Sequence, residues 1–415
     1  MLQSDKNPLL KRLTANSAIV LSFIVALEIV IMISPFAFYF YAVFNPLLLM
    51  LNQSVATRWL TAFFLPHMLV PPNGFLLAVR VIGSVLFIAG TLIFLVCAAQ
   101  VYLGKMLKKG TATRGLYTIV RHPQYVGLTL AATGLAIMWP RFLTLVLLAV
   151  MMFLYYLLAK DEERRMSNRY GEEYRTYLNR TGKFFPRGVE RIFARGNEAG
   201  KHVGFVKSAL LLAVPLVCTV GIGFALRAYT VHHLPISRIG NIDVISIMAN
   251  DSATVNELVP AVLQDIVVSA KMDSLSKDAD HRILAYFIPI DYVMQGMIAN
   301  TGDEWKLFEH HRTIGMITDY IIHPIGHLSG DHAHHMIAGM KHGPEMYALP
   351  MMKRRVIFIE ISDRGNLQSP FDDFDINAKR TPLFFVDVHL HTAEILQVRD
   401  TPSGSGWGTV PTPMF

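Results

Sequence analysis

Residues 142–159 contain no charged side chain, and this is one of several such runs in the chain. A backbone immersed in lipid can satisfy its N–H and C=O groups only within a helix or a closed barrel. A bilayer core about 30 Å thick takes about 20 apolar residues in helical form. Runs at 17–44, 75–103, 126–139, 142–159 and 205–225 approach or meet this requirement. The expected fold is therefore a multi-span α-helical membrane domain of about five transmembrane helices, followed by a soluble α+β domain. Runs 126–139 and 142–159 pair as a hairpin turned at Pro140-Arg141. The run at 17–44 follows Lys6, Lys11 and Arg12 and has no small-residue cleavage pattern, so it is read as an uncleaved anchor. Residues 45–73 are apolar but broken by Pro46, Pro71 and Pro72, which suits an interfacial segment, with a sixth, short span as the alternative.

The charges separate the two parts. Residues 1–231 hold 24 Lys and Arg against 9 Asp and Glu, whereas 232–415 hold 14 against 22. Such asymmetry implies different surroundings for the two halves. The layout expected is an anchor and interfacial segment at 1–74, a membrane domain at 75–190, a basic linker with the last transmembrane helix at 191–228, and an exported α+β domain at 229–415. Loop 104–123 carries Lys105, Lys108, Lys109, Arg114 and Arg121, and twelve basic residues fall in 160–207, whereas 45–74 carries only Arg58. Basic loops favour the cytoplasmic side, so the amino terminus is placed there and 229–415 on the non-cytoplasmic side. Cys97 and Cys218 both fall inside spans, which leaves the exported part without a disulfide or a Cys-x-x-Cys-His haem site. Nucleic acid is not an expected partner of such a chain.

Two polar segments interrupt the apolar runs on what should be one side: Arg114–Gly127 and Lys160–Arg165. Pro123 suits the first turn of a helix, where no backbone N–H is needed. The amides of that first turn would favour an anion or an electron-rich group. Glu162 and Glu163 emerge at the end of the hairpin, and carboxylates at that depth are costly unless paired or used. Spacing alone fits equally well an ordinary interfacial charge cluster with His122 as a helix cap. Glu28, within the first run, is an isolated carboxylate open to the same two readings. The basic stretch 187–202 is loosely amphipathic and suits anionic lipid head groups.

Gly115-Leu-Tyr-Thr-Ile-Val-Arg-His-Pro-Gln-Tyr-Val-Gly127, then Glu162-Glu163, then Tyr170-Gly-Glu-Glu-Tyr174 and Phe184-Phe-Pro186 resemble the isoprenylcysteine carboxyl methyltransferase family. More broadly, they are similar to the membrane phospholipid methyltransferases. The resemblance covers about residues 75–190. It implies an S-adenosylmethionine pocket at the cytoplasmic membrane surface and a lipophilic, isoprenoid or lipid-like substrate entering from the bilayer. Carried over by position, Gly115, Tyr117, His122, Tyr125 and Gly127 would line the cofactor pocket, and Glu162 and Glu163 would hold the cofactor's amino group and ribose. Carboxylates bind an ammonium through charge-assisted hydrogen bonds, and an aromatic face attracts a cation. Members acting on prenylcysteine carboxylates have an arginine about a turn before the glutamate pair, but here that stretch reads Phe153-Leu-Tyr-Tyr-Leu-Leu-Ala159-Lys160. Arg121 and Arg164 are the candidate catalytic substitutes, with Lys160 as a third. The fold also resembles that of the membrane sterol reductases.

In the second part, 242–248, 283–290, 355–362 and 383–391 read as strands, the last with clean alternation. Residues 254–272 read as a helix opened by a capping box at Thr254 and Glu257, and 304–320 as another. Thirteen of the sixteen histidines lie in 232–415. His323, His327, His332, His334 and His335 form the candidate metal set, with methionines interleaved, and His389 and His391 sit two apart on a strand. Imidazole with thioether suits Cu or Zn; a histidine-rich surface loop, or one that senses pH, fits the same spacing. Two functions follow. One is an integral membrane methyltransferase using S-adenosylmethionine. The other is a non-catalytic membrane subunit whose exported His- and Met-rich domain binds metal or docks on a partner membrane complex.

Overall fold

The computed structural model describes residues 45–67, 69, 72–106, 114–194, 205–248, 251–275, 282–290, 292, 295–302, 352–362 and 374–402. The described residues divide into two compact units, one drawn from 86–133 and 147–216, the other from 45–85, 134–146 and 217–402.

Among the described residues, three helices are long and apolar enough to cross a membrane: Gly74–Gly104, Phe142–Arg180 and Ala209–Val231. They belong to α2 (Gly74–Met106), α4 (Phe142–Arg180) and α6 (Phe205–Val231). Between α2 and α4 lies α3 (Pro123–Met138), and α3 and α4 form the expected hairpin around Pro140-Arg141. At 1.5 Å per residue, 16-residue α3 spans about 24 Å, short of a full bilayer core. Residues 17–44, including Glu28, lie outside the described residues, so the structure establishes three candidate spans and leaves the expected five unconfirmed. The broken segment holds only short helices among the described residues: α1 (Asn45–Gln53) is nine residues long and is followed by Val55–Arg58 and Trp59–Thr61. The chain beyond them packs on the hairpin tip, where the Phe64 amide donates to the Pro140 carbonyl (2.8 Å) and the Phe142 amide to the Ala62 carbonyl (3.0 Å). Arg141 is fully buried there, donating to the Thr61 carbonyl with its guanidinium 4.1 Å from the Phe63 ring.

α2 and α3 approach closely because glycine faces glycine. A Cβ on Gly90 would sit 2.6 Å from the Gly127 carbonyl oxygen, and one on Gly127 would sit 2.7 Å from the Phe94 amide nitrogen. Small residues at such crossings let helix backbones pack in lipid, where no hydrophobic force draws helices together. α4 is much longer than its apolar run. It breaks at Gly171 (φ +55°, ψ −127°), a left-handed backbone that glycine adopts without penalty. α5 (Arg187–Ala194) follows.

In the other unit, β1 (Ile236–Ile239), β2 (Ile242–Ser246), β3 (Arg282–Pro289), β4 (Lys353–Ser362), β5 (Lys379–His389) and β6 (Ile395–Asp400) form one sheet in sequence order. All neighbours pair antiparallel except β2 and β3, which run parallel and are joined through α7 (Ser252–Leu263) and α8 (Ile266–Leu275). A parallel pair needs such a crossover. One face of the sheet packs Val255, Leu258, Val259 and Val262 of α7 and Val268 of α8 on Val244, Phe287, Phe358 and Val386. The other packs Leu69, Leu234, Ile298 and Phe374 on Ile245, Tyr286, Ile357 and Phe385.

Three expectations for this part are corrected. The single helix at 254–272 is two, because the Asp265 carboxylate accepts from the Val267 and Val268 amides (2.8 and 3.1 Å) and starts a new helix. The capping box at Thr254 does not open α7, which starts at Ser252 after Asp251. That carboxylate makes no cap bond; it takes two hydrogen bonds from Arg354 (2.9 and 3.2 Å). Clean alternation fails in β5, where Phe384–Val388 is buried throughout, since both sheet faces are covered. β1 and β6 were not foreseen. The expected helix at 304–320 and the histidines His323, His327, His332, His334 and His335 lie outside the described residues.

Candidate functional site

The loop entering α3 is held from three directions. Gly115 (φ +62°) opens a 3-10 turn through Thr118, and the Arg114 carbonyl accepts from the Gln100 side chain (3.0 Å). Buried Tyr117 donates its hydroxyl to Gln124 (3.0 Å), and its carbonyl accepts from the Tyr177 hydroxyl (2.7 Å). Residues 119–122 then lie alongside 182–183. The Gly182 amide donates to Ile119 (3.3 Å), Arg121 to Gly182 (2.8 Å) and His122 to Lys183 (3.2 Å), all through backbone carbonyls. Breaking α4 at Gly171 makes Tyr177, Gly182 and Lys183 available to this loop.

Five charged or titratable side chains converge on the end of α3. The Arg121 Nε donates to Glu163 Oε1 at 2.6 Å, and its Nη1 donates to the carbonyls of Leu178 (3.1 Å) and Thr181. Lys183 Nζ lies 2.9 Å from Glu163 Oε2. His122 is buried between the two carboxylates, with Nδ1 3.2 Å from Glu162 Oε2 and Nε2 3.4 Å from Glu163 Oε1. These are ion-pair distances, so the imidazole is shared between the two carboxylates. Burial pushes the imidazole towards its neutral form, but Glu162 and Glu163 outweigh it and raise its pKa above the ordinary 6.5.

Glu162 differs from its neighbour. Its Oε1 accepts from the Tyr125 hydroxyl at 2.7 Å, yet the side chain stays 36% exposed against 15% for Glu163. Tyr125 stacks on Tyr155 with ring centroids 4.9 Å apart and on His122 at 5.7 Å, and Phe184 lies 5.9 Å from the His122 ring. The result is a column of aromatic faces ending at a half-exposed carboxylate. Buried Tyr155 has no hydrogen-bond partner for its hydroxyl among the described residues. A part-exposed carboxylate backed by buried aromatic rings fits the ammonium of a cationic amino-acid-like ligand.

His122, Tyr125, Glu162, Glu163 and Arg121 are thus brought together, with Tyr117 behind them. Gly115 shapes the turn. The bare face of Gly127 is filled by the backbone of α2, so helix packing already accounts for that glycine. Arg164 is not brought in: its side chain is 74% exposed and paired with Asp161 at 2.5 Å. Lys160 is exposed as well. The first-turn amides of α3 do not face a ligand either, because those of Tyr125 and Val126 donate to the His122 carbonyl (3.1 and 3.2 Å). Sequence reasoning missed Lys183 and Tyr155. Tyr155 precedes Glu162 by seven residues, two helical turns, and that spacing is the signal that placed it on the same helix face. Among the described residues no group of three or more His, Cys, Asp or Glu is arranged to hold a metal.

Residues 74–173 match the family model for phospholipid methyltransferase. The match covers about a quarter of the chain and includes α2, the loop, α3 and α4 as far as Glu173. It contains the motifs at Gly115–Gly127 and Glu162-Glu163 on which the resemblance to membrane methyltransferases rests. No curated protein and no solved structure matches the chain.

Proposed function

We propose that this chain is an integral membrane methyltransferase that uses S-adenosylmethionine and acts on a lipophilic, isoprenoid or lipid-like substrate at the cytoplasmic membrane face. The observation that carries the reading is Glu162. Tyr125 donates to one of its oxygens and His122 faces the other, while 36% of the side chain stays accessible. Its place within the phospholipid methyltransferase match supports the same reading.

S-adenosylmethionine supplies a methyl group on a positively charged sulfur, and transfer disperses that charge. The residues therefore need to orient and to exclude water more than to move protons. Glu162 would take the cofactor's ammonium. Glu163, already committed to Arg121 and Lys183, would hold His122 and the loop in place. The Tyr125 ring is buried between His122 and Tyr155, so its part would be to hold Glu162 in place through its hydroxyl. Arg121 then serves to position Glu163. The cytoplasmic placement rests on the basic loops 104–123 and 160–207, and the lipophilic substrate on the family resemblance and on apolar helices flanking the site.

Isothermal calorimetry of the purified chain in nanodiscs with S-adenosylmethionine tests this. The wild type should bind one equivalent, and Glu162→Gln should bind at least about tenfold more weakly, as expected when a charged hydrogen-bond acceptor is lost. Absence of binding by a folded wild-type chain would overturn the reading.

A further inference from the structure

Beside the site, the surface made by 114–119 and 182–191 carries large apolar side chains that no described residue of this unit covers. Phe185 is 59% exposed and Ile119 49%, with Leu116 and Val189 each at 39%. They sit on one hydrogen-bonded framework. Ile119 accepts from Gly182, and Glu190 on α5 reaches back to accept from the amides of Lys183 (2.6 Å), Phe184 (3.0 Å) and Phe185 (3.4 Å) with a single carboxylate oxygen. Three successive amides aimed at one oxygen form an anion-binding nest, and here the protein's own glutamate fills it.

That arrangement decides the sign of the surface. Segment 104–123 has no acidic residue, and Glu190 is the only one in 180–195. Since Glu190 is turned into the nest, Arg114, Arg180 and Arg191 on the exposed side meet no carboxylate from these two segments, and Arg187 lies half-buried beside them. Exposed apolar side chains interspersed with cations match the boundary layer of an anionic bilayer, with the apolar groups below the head groups and the guanidiniums among the phosphates.

We propose that the Gly115–Thr118 turn, Phe185 and α5 form an interfacial foot that inserts into an anionic lipid surface, and that Glu190 ties this foot to the loop carrying Lys183. Apolar contact alone would leave the surface indifferent to lipid charge, whereas the cations predict a preference for phosphatidylserine over phosphatidylcholine. The foot does not depend on the chemistry of the neighbouring site.

The test is nitroxide labelling of Phe185→Cys and Val189→Cys, with Cys218 replaced by Ser, in nanodiscs of phosphatidylcholine with and without phosphatidylserine. Glu172→Cys, whose side chain is 81% exposed, serves as the water-facing control. Labels at 185 and 189 should be relaxed more strongly by oxygen than by a water-soluble nickel chelate, and the more so with phosphatidylserine. Arg187→Gln with Arg191→Gln should remove the lipid-charge dependence. Labels as accessible to the chelate as the one at 172 in both lipids would overturn the proposal. So would labels shielded from both reagents, which would indicate a protein contact instead.

Discussion

In the sheet, the Arg355 and Asp387 side chains are only 0% and 1% exposed and meet through two hydrogen bonds of 2.6 and 2.7 Å. Arg355 also donates to Gln295 (2.9 Å), and Gln397 donates to Asp387, so each charge is closed on both sides. In the helical unit, Glu162 and Glu163 meet Arg121, Lys183, His122 and Tyr125, and the closure is uneven. Glu163 resembles Asp387, with a cation on each oxygen. Glu162 accepts from the Tyr125 hydroxyl, shares the His122 imidazole with Glu163, and keeps an exposed edge. A buried pair with every valence used specifies structure; a carboxylate that shares one imidazole and stays part-exposed is more available to a ligand.

The largest effect should come from opening the closed pair. Asp387→Ala leaves the Arg355 guanidinium buried, and loss of one partner of such a pair typically costs about 3–5 kcal/mol. Chemical denaturation of the detergent-solubilised chain should show a clearly lower midpoint; a midpoint equal to wild type would mean that the pair is not what holds β4 on β5.

The two glutamates should separate next. Glu163→Gln removes the common partner of Arg121 and Lys183 and should lower stability by about 1–3 kcal/mol. Glu162→Gln should leave the melting temperature nearer to wild type and instead lower S-adenosylmethionine affinity about tenfold or more. If the two variants behaved alike in both measurements, the contrast drawn from their exposure would fail.

A smaller effect is expected from pH. His122 has its pKa raised above 6.5 in the folded state by Glu162 and Glu163. The charged imidazole therefore stabilises the fold fully below 6.5, and that contribution is lost as pH rises through the folded-state value. The melting-temperature difference between wild type and His122→Gln should shrink as pH increases from about 6. A constant difference would show that the ring acts through packing alone. Smallest of all, Arg164→Ala breaks a mostly exposed pair with Asp161 and should change cofactor affinity by less than about twofold. A large loss there would restore Arg164 to the site.

Much of the helical architecture was legible because apolar run length is a local property. The hairpin at Pro140-Arg141, the helix start at Pro123 and the candidate spans all follow from residues read in place. His122, Tyr125, Glu162 and Glu163 were reachable through their motif. Arg164 illustrates the limit: it is adjacent in sequence to Glu163, yet a helix turns each residue 100° from the last, which carried Arg164 out towards Asp161. Lys183, nineteen residues further on and past the break at Gly171, was not legible, since its role depends on which way the chain turns there. In the sheet, β3 was readable as a continuous apolar run. The buried Asp387 was not, because an acidic residue in a strand reads as solvent-facing until its partner Arg355 is in view.

By itself, the sequence determined that this chain carries helices able to cross a membrane, a polar loop before Pro123 with a glutamate pair after the second apolar run of the hairpin, and a carboxy-terminal part that contains strands. Those features follow from hydropathy, spacing and backbone chemistry, all of which act over a few residues. Only the tertiary structure decided which charges are spent and which are spare. Whether a carboxylate is neutralised depends on cations distant in sequence: Arg121 lies 42 residues before Glu163 and Lys183 reaches it from beyond Gly171. For the same reason the difference between Glu162 and Glu163, adjacent and chemically identical, exists only in three dimensions.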